Sequence, residues 1–114
     1  MKRIVIASDI QAPFEDKAII RGFTQFLKDY QPDELLCVGD EADSPEVSRW
    51  KKGLAGEYSG TLQAGLDRTR NILRGFREAI GPDTPFTIHR SNHTDRIKMS
   101  VDRFAPGLTG LRAL

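Results

Sequence analysis

The chain has 114 residues, of which 39% are hydrophobic and 29% charged, and this balance excludes the low-hydrophobicity class of disordered proteins and predicts one globular domain. Its formal net charge of +1 gives no general attraction for polyanions, so the charge does not indicate a nucleic-acid partner. The single cysteine, Cys37, cannot form an intramolecular disulfide, and residues 4–7 are too short an apolar run for a signal peptide or a membrane span. We therefore expect a cytoplasmic protein without a membrane partner.

Strand-like and helix-like segments alternate along the chain. The predicted elements, in chain order, are a strand at residues 3–7, a helix at 16–30, a strand at 34–38, a short helix at 46–51 within a long connection, a helix at 60–80, a strand at 86–89 and a helix at 94–104. Alternation of this kind predicts an α/β fold in which helices flank a parallel β-sheet.

Polar residues follow each predicted strand. Asp9 comes after the first strand, Asp40 after the second, and the Asn92-His93 pair after the third. Because the carboxyl ends of parallel strands meet at one edge of a sheet, the topology is expected to bring these residues together. Each aspartate by itself also suits an ordinary turn, so the prediction depends on the combination.

The predicted edge is rich in oxygen donors. Besides the residues after the strands, Asp43 and Gln11 lie in the same loops, although Asp43 also suits a helix cap. Carboxylates, amides and one imidazole, without thiolates, suit Mn, Mg, Fe or Zn ions in a catalytic site. The sequence thus predicts a divalent-metal centre.

Three short motifs resemble those of the calcineurin-like metallophosphoesterases, the family related to serine/threonine phosphatases. They are Asp9-Ile10-Gln11, Gly39-Asp40-Glu41-Ala42-Asp43 and Ser91-Asn92-His93-Thr94, which resemble Asp-x-His, Gly-Asp-x-x-Asp and Gly-Asn-His-Asp or Glu. Gln11, Ser91 and Thr94 depart from the family pattern. Residues 8–14 and 90–93 also resemble a branch of the family encoded by bacteriophages of actinobacteria.

The resemblance implies a fold and a set of roles. The fold would be the N-terminal part of a four-layer α/β/β/α sandwich. Asp9 would bind a first metal, with Gln11 as a weak neutral ligand, Asp40 would bridge two metals and Asn92 would bind the second. His93 would be the catalytic imidazole, oriented by Asp43, and a metal-activated water would hydrolyse a phosphate ester.

Two arginines flank the predicted site loop. Arg90 precedes the third motif and Arg96 follows it. A guanidinium group can bind a phosphate through two parallel hydrogen bonds, so both are candidate substrate-binding residues. Exposed arginines are also common on protein surfaces, and this alternative stays open.

The chain lacks part of what the family resemblance implies. Its two histidines are His89 and His93, whereas full-length members carry three further histidine ligands downstream. We therefore expect residues 1–114 to form a single but incomplete domain, whose uncovered sheet face needs a homodimer or protein partner. A truncated chain, a natural short form and an inactive scaffold that binds a host or phage partner all remain open. A nucleotide-binding module is disfavoured because the sequence has neither a Gly-x-Gly-x-x-Gly motif nor a Walker-type loop.

Overall fold

The computed structural model describes residues 1–43 and 61–108, with the side chains of residues 92–94 and 108 excepted. The elements are β1 (Ile4–Ala7), α1 (Lys17–Tyr30), β2 (Glu34–Cys37), α2 (Leu62–Ile80), β3 (Phe86–Ile88), α3 (Asn92–Phe104) and a 3₁₀ helix (Pro106–Leu108). The three strands form one parallel sheet in the order β1-β2-β3, which confirms the α/β class. The helix expected at residues 46–51 lies outside the described residues.

Local capping explains where the first two helices begin and end. The side chain of Asp16 accepts hydrogen bonds at the start of α1, and that of Thr61 does so at the start of α2. Gln31 ends α1 in the left-handed conformation with φ 48°, and Gly81 ends α2 with φ 89°. The predicted limits of both helices are therefore confirmed to within two residues.

The third helix starts earlier than predicted. The carbonyl of Ser91 accepts a hydrogen bond from the N–H of Asp95 at 3.0 Å, so the helical ladder already includes Asn92 and His93. These two residues consequently form the first turn of α3 and do not lie in a loop.

Helices α1 and α2 pack against the same face of the sheet. This follows from the strand order, because successive right-handed crossovers between neighbouring strands place their helices on one side. The rings of Phe23 and Phe76 meet edge to face at 5.1 Å. The buried core consists of Ala12, Leu27, Leu35, Cys37, Ile72, Phe76, Ala79 and Ile80.

The opposite face of the sheet is apolar and exposed. The strand register places Ile6, Leu36 and Thr87 in one row across it. Ile4 is 47% exposed, Ile6 63% and Val38, just beyond β2, 46%. Within the described part of the chain, no helix is long and apolar enough to cross a membrane.

Candidate functional site

The loops that follow β1 and β2 are joined by backbone hydrogen bonds. The N–H of Asp9 donates to the carbonyl of Gly39 at 3.1 Å, and the N–H of Gln11 donates to the carbonyl of Asp40 at 2.8 Å. The two carboxylate-bearing turns are therefore neighbours at the carboxyl edge of the sheet, as the sequence predicts.

The contact between these loops continues past the two turns. Ala12 donates its N–H to the carbonyl of Glu41 at 2.8 Å, and its own carbonyl accepts from the N–H of Asp43 at 2.9 Å. This short parallel bridge, Ala12 to Ala42, extends the pairing of β1 and β2 beyond the strands. It fixes the backbone of Asp43 against the first loop.

The backbone at this edge is held in an uncommon conformation. Asp9, Gln11 and Asp40 have φ values of 58°, 53° and 59°, and Gly39 has φ 118°. Non-glycine residues adopt positive φ rarely, although aspartate tolerates it better than most. Such conformations cluster at functional sites, where surrounding contacts maintain them.

Ser91, the residue before α3, contacts the turn that follows β2. The Oγ of Ser91 accepts a hydrogen bond from the N–H of Asp40 at 3.1 Å. A Cβ atom at Gly39 would lie 2.8 Å from the Cβ of Ser91, so only glycine fits there without displacing a neighbour. The start of α3, and with it the backbone of Asn92, thus lies at the same edge as Asp40.

Arg96 connects α3 to the second loop. Its Nη1 donates to the carbonyl oxygen of Asp43 at 2.6 Å and lies 3.5 Å from the carboxylate Oδ1 of the same residue. The side chains of Arg96 and Asp43 are only 18% and 14% exposed. Because both side chains are largely buried, water screens this contact little. The contact therefore orients Asp43 and also holds α3 against the second loop.

Arg90 has a different environment from Arg96. It forms an ion pair with Asp95 at 2.7 Å, one turn into α3, and its side chain is 77% exposed. An exposed pair of this kind contributes little to stability. The guanidinium group of Arg90 therefore remains accessible to a ligand that approaches the carboxyl edge of the sheet.

Glu41 is a buried acid that the sequence analysis did not single out. It is 4% exposed, and its Oε1 accepts a hydrogen bond from the N–H of Gly39 at 3.1 Å. Burial first, and the charge of Glu41 second, raise the pKa of Cys37 to about 12. The position of Glu41 between the two motif aspartates was the available signal for its role in shaping the turn.

Glu15 is a second buried acid near this edge. Its side chain is 1% exposed and forms an ion pair with Arg68 of α2, and no described residue provides a partner for its buried Oε2. Glu15 and Asp9 both line a cavity of about 380 Å³ between β1 and α1. The burial of Glu15 depends on the packing of α2, and no local sequence pattern indicates that packing.

The structure brings most of the predicted site residues to one edge. Asp9 is exposed, whereas Gln11, Asp40 and Asp43 are partly buried, and one carboxylate oxygen of Asp40 is fully buried. Among the described side chains, no three of Asp, Glu, His or Cys are grouped as metal ligands. The side chains of Asn92 and His93 lie outside the described part of the structure. The predicted donor set differs from such a group, because it also includes the amides of Gln11 and Asn92.

Two curated phage proteins are similar to this chain. Both are called gene 54 protein, one from Mycobacterium phage D29 and one from Mycobacterium phage L5, and each is 35% identical to the chain over 107 and 108 residues respectively. Each match covers 94% of this chain but 42% of the relative, so the chain spans less than half the length of the curated relatives it matches.

The similarity to bacteriophage proteins expected from the sequence is confirmed. The names of these relatives state no activity. No protein-family model matches the chain. No solved structure matches it significantly.

Proposed function

We propose that the chain is the first part of a divalent-metal phosphoesterase of the calcineurin-like type, acting on a phosphomonoester or phosphodiester. The observation that carries the proposal is the network of backbone hydrogen bonds that holds Asp9 and Gln11 against the Gly39-Asp40 turn, and Asp40 against Ser91. This network puts the backbones of all three motifs at one sheet edge, where α/β proteins commonly bind ligands.

The donor set at that edge fits a hard divalent cation. Asp9, Asp40 and Asn92 offer oxygen atoms, and Gln11 would add a neutral amide oxygen where imidazole would favour zinc, so manganese or magnesium is preferred. Such a cation, when bound, activates water and neutralises phosphate charge. One carboxylate oxygen of Asp40 is buried, and the backbone N–H of Asp40 donates to Ser91 Oγ, so the residue is anchored at this edge.

The remaining site residues have roles in proton transfer and substrate positioning. In this proposal His93 donates a proton to the leaving oxygen, and Asp43 orients the imidazole. The exposed guanidinium of Arg90 binds a substrate phosphate. Arg96 already donates to the carbonyl of Asp43, so its contribution to phosphate binding would use its other N–H groups.

The full activity would require donors outside this chain. The chain spans 42% of each phage relative, and in this proposal the remaining length of a complete protein supplies further metal ligands and the second half of the four-layer sandwich. The proposed setting is the cytoplasm of the infected host cell.

Hydrolysis assays test this function. Purified chain is incubated with aryl phosphate monoesters and diesters, with and without Mn²⁺. The proposal expects metal-dependent product formation, slower for this chain than for a full-length phage relative, that Asp40→Ala and His93→Ala abolish, while Asp29→Ala, at an exposed residue of α1, retains it. Absence of hydrolysis by this chain and also by a full-length phage relative, with every divalent metal tested, would overturn the assignment.

A second candidate function is a catalytically silent scaffold that binds a host or phage protein. It is favoured by the presence of Gln11 where the family pattern has a histidine, and by a total of two histidines in the chain. This alternative predicts a stable protein complex in pull-down experiments and no Mn²⁺ uptake in titration calorimetry.

A further inference from the structure

One edge of the sheet is open along β1. Within the described residues β1 is an outer strand, and the carbonyl of Ala7 accepts from the N–H of Val38 on the β2 side at 2.9 Å, with the carbonyl of Arg3 also bonded on that side. Because backbone groups alternate in direction along a strand, those of Ile4 and Ile6 point away from β2. No described strand pairs with them there.

An apolar stripe of α1 lies beside this edge. Ile19, Phe26 and Tyr30 share one helix face and are 66%, 45% and 38% exposed. The cavity of about 380 Å³ is lined by Ile6 of β1 and by Ile19 and Phe23 of α1, so the strand edge and the helix stripe border one continuous surface. Exposed apolar area next to an unpaired strand edge marks an interaction surface.

We propose that this surface joins two copies of the chain, with β1 pairing antiparallel to β1 of the second copy about a two-fold axis at Val5. In this register Ile4 of one copy lies opposite Ile6 of the other, so the outward-pointing backbone groups of both residues are paired. Their side chains, exposed in the single chain, would form a four-isoleucine cluster on the uncovered sheet face.

The same axis brings the two apolar stripes together. A two-fold axis perpendicular to the sheet leaves α1 of both copies on the same face, antiparallel to one another. Each α1 connects β1 to β2 and would lie over the groove between these two strands. In the dimer the two grooves are separated by two strand spacings of about 4.8 Å each, so the two helices would be about 10 Å apart. Packed helices have interaxial distances of about 8–10 Å, so the two stripes would meet directly, with Ile19 of one copy toward Tyr30 of the other.

Charge and sequence at the edge both favour a second copy as the occupant. The antiparallel register places Lys2 of one copy opposite Ser8 of the other, one residue from the acidic Asp9. Lys2, which also forms an ion pair with Glu34 of its own copy at 2.8 Å, thereby lies beside an acidic residue of the second copy. Strand β1 itself carries no proline and no charged residue, the usual devices that prevent edge-to-edge association. This association of two copies does not require phosphoesterase activity.

Light scattering after size-exclusion chromatography tests the assembly. The wild-type chain is expected at twice its 12.8 kDa mass. Ile6→Lys is expected to weaken dimerisation by about tenfold or more, because it places a charge next to the two-fold axis, opposite Ile4 of the other copy. Met99→Lys is the matched control, since Met99 is 58% exposed and belongs to α3, which is not part of the proposed surface. A monomeric wild type over a roughly hundredfold dilution range, or a dimer unaffected by Ile6→Lys, would overturn the proposal.

Disulfide cross-linking tests the register even if Ile6→Lys folds poorly. The variant with both Ile4→Cys and Ile6→Cys is expected to form covalent dimers under mild oxidation, because opposite residues have Cα atoms about 5.5 Å apart. Neither single variant is expected to cross-link, because equivalent positions are offset along the strand beyond disulfide reach. The native Cys37 is buried and does not compete. Absence of cross-linking in the double variant, or equal cross-linking in a single variant, would contradict the proposed pairing.

Discussion

The Nη1 atom of Arg96 donates a 2.6 Å hydrogen bond to the backbone carbonyl of Asp43, a residue separated from it by 53 positions. Asp43 in turn donates its N–H to the carbonyl of Ala12 in the first loop. Through these two bonds α3 is linked to both carboxylate-bearing loops. Arg96 is therefore a positioning residue for the candidate site, in addition to any contact with substrate.

Removal of this arginine should loosen the third helix. Arg96→Ala is expected to lower the free energy of unfolding by about 1–3 kcal/mol, because it deletes a largely buried, charge-assisted hydrogen bond. Arg96→Lys should lose less, since lysine retains one donor. Urea denaturation measures both, and Arg90→Ala, at a 77% exposed side chain, should change stability by about 0.5 kcal/mol or less. Equal losses at Arg90 and Arg96 would contradict this account.

Glycine at position 39 should be required by both conformation and space. Gly39→Ala is expected to cost about 2–3 kcal/mol, since the residue has φ 118° and its new Cβ would lie 2.8 Å from the Cβ of Ser91. Adding Ser91→Gly should recover only part of this loss, because the φ strain remains. Thermal unfolding provides the comparison.

A helical glycine provides the control for this substitution. Gly22→Ala in α1 meets no atom within 4 Å and should stabilise the chain by about 0.5–1 kcal/mol through helix propensity. If Gly39→Ala proved as harmless as Gly22→Ala, the close approach of the two loops would be wrong.

The buried thiol should make stability fall at alkaline pH. Burial, followed by the charge of Glu41, raises the pKa of Cys37 from 9.0 to about 12 in the folded chain. The folded state therefore holds its proton longer than the unfolded state, and this contribution is complete below about pH 9 and lost as the pH rises toward 12. Urea midpoints measured at about pH 8 and about pH 10.5 should fall more in the wild type than in Cys37→Ala. An identical decline in both would exclude the thiol as its source.

The Glu15–Arg68 ion pair should respond asymmetrically to substitution. Arg68→Ala leaves the 1% exposed carboxylate of Glu15 without its cation and is expected to cost about 1–3 kcal/mol. The double variant Arg68→Ala with Glu15→Gln should be more stable than Arg68→Ala alone. Lys98→Ala, in an exposed pair with Asp102, serves as the surface control. A double variant less stable than Arg68→Ala would refute the uncompensated charge as the cause.

Sequence reasoning predicts the strands, the two crossover helices and the meeting of Asp9 with Asp40, because these depend on hydrophobic periodicity and on the geometry of parallel sheets. It did not place Asn92 inside the first turn of α3. The bond that begins this helix is accepted by the backbone carbonyl of Ser91, and a backbone carbonyl leaves no residue-specific signal in the sequence. Nor did it identify Glu15 as buried. That burial depends on Arg68, which lies 53 positions away in sequence and meets Glu15 only after α2 has packed.

In the proposed function, Asp9, Asp40 and Asn92 line one pocket for a divalent cation or for two neighbouring cations, and Mn²⁺ binding followed by electron paramagnetic resonance tests this arrangement. The free Mn²⁺ signal is expected to fall when wild-type protein is added, and Asp9→Asn, Asp40→Asn and Asn92→Ala are each expected to weaken binding by roughly tenfold or more. Asp29→Asn, on the exposed side of α1, should bind as the wild type does. Undiminished free Mn²⁺ with folded wild-type protein, or binding insensitive to all three substitutions, would contradict it.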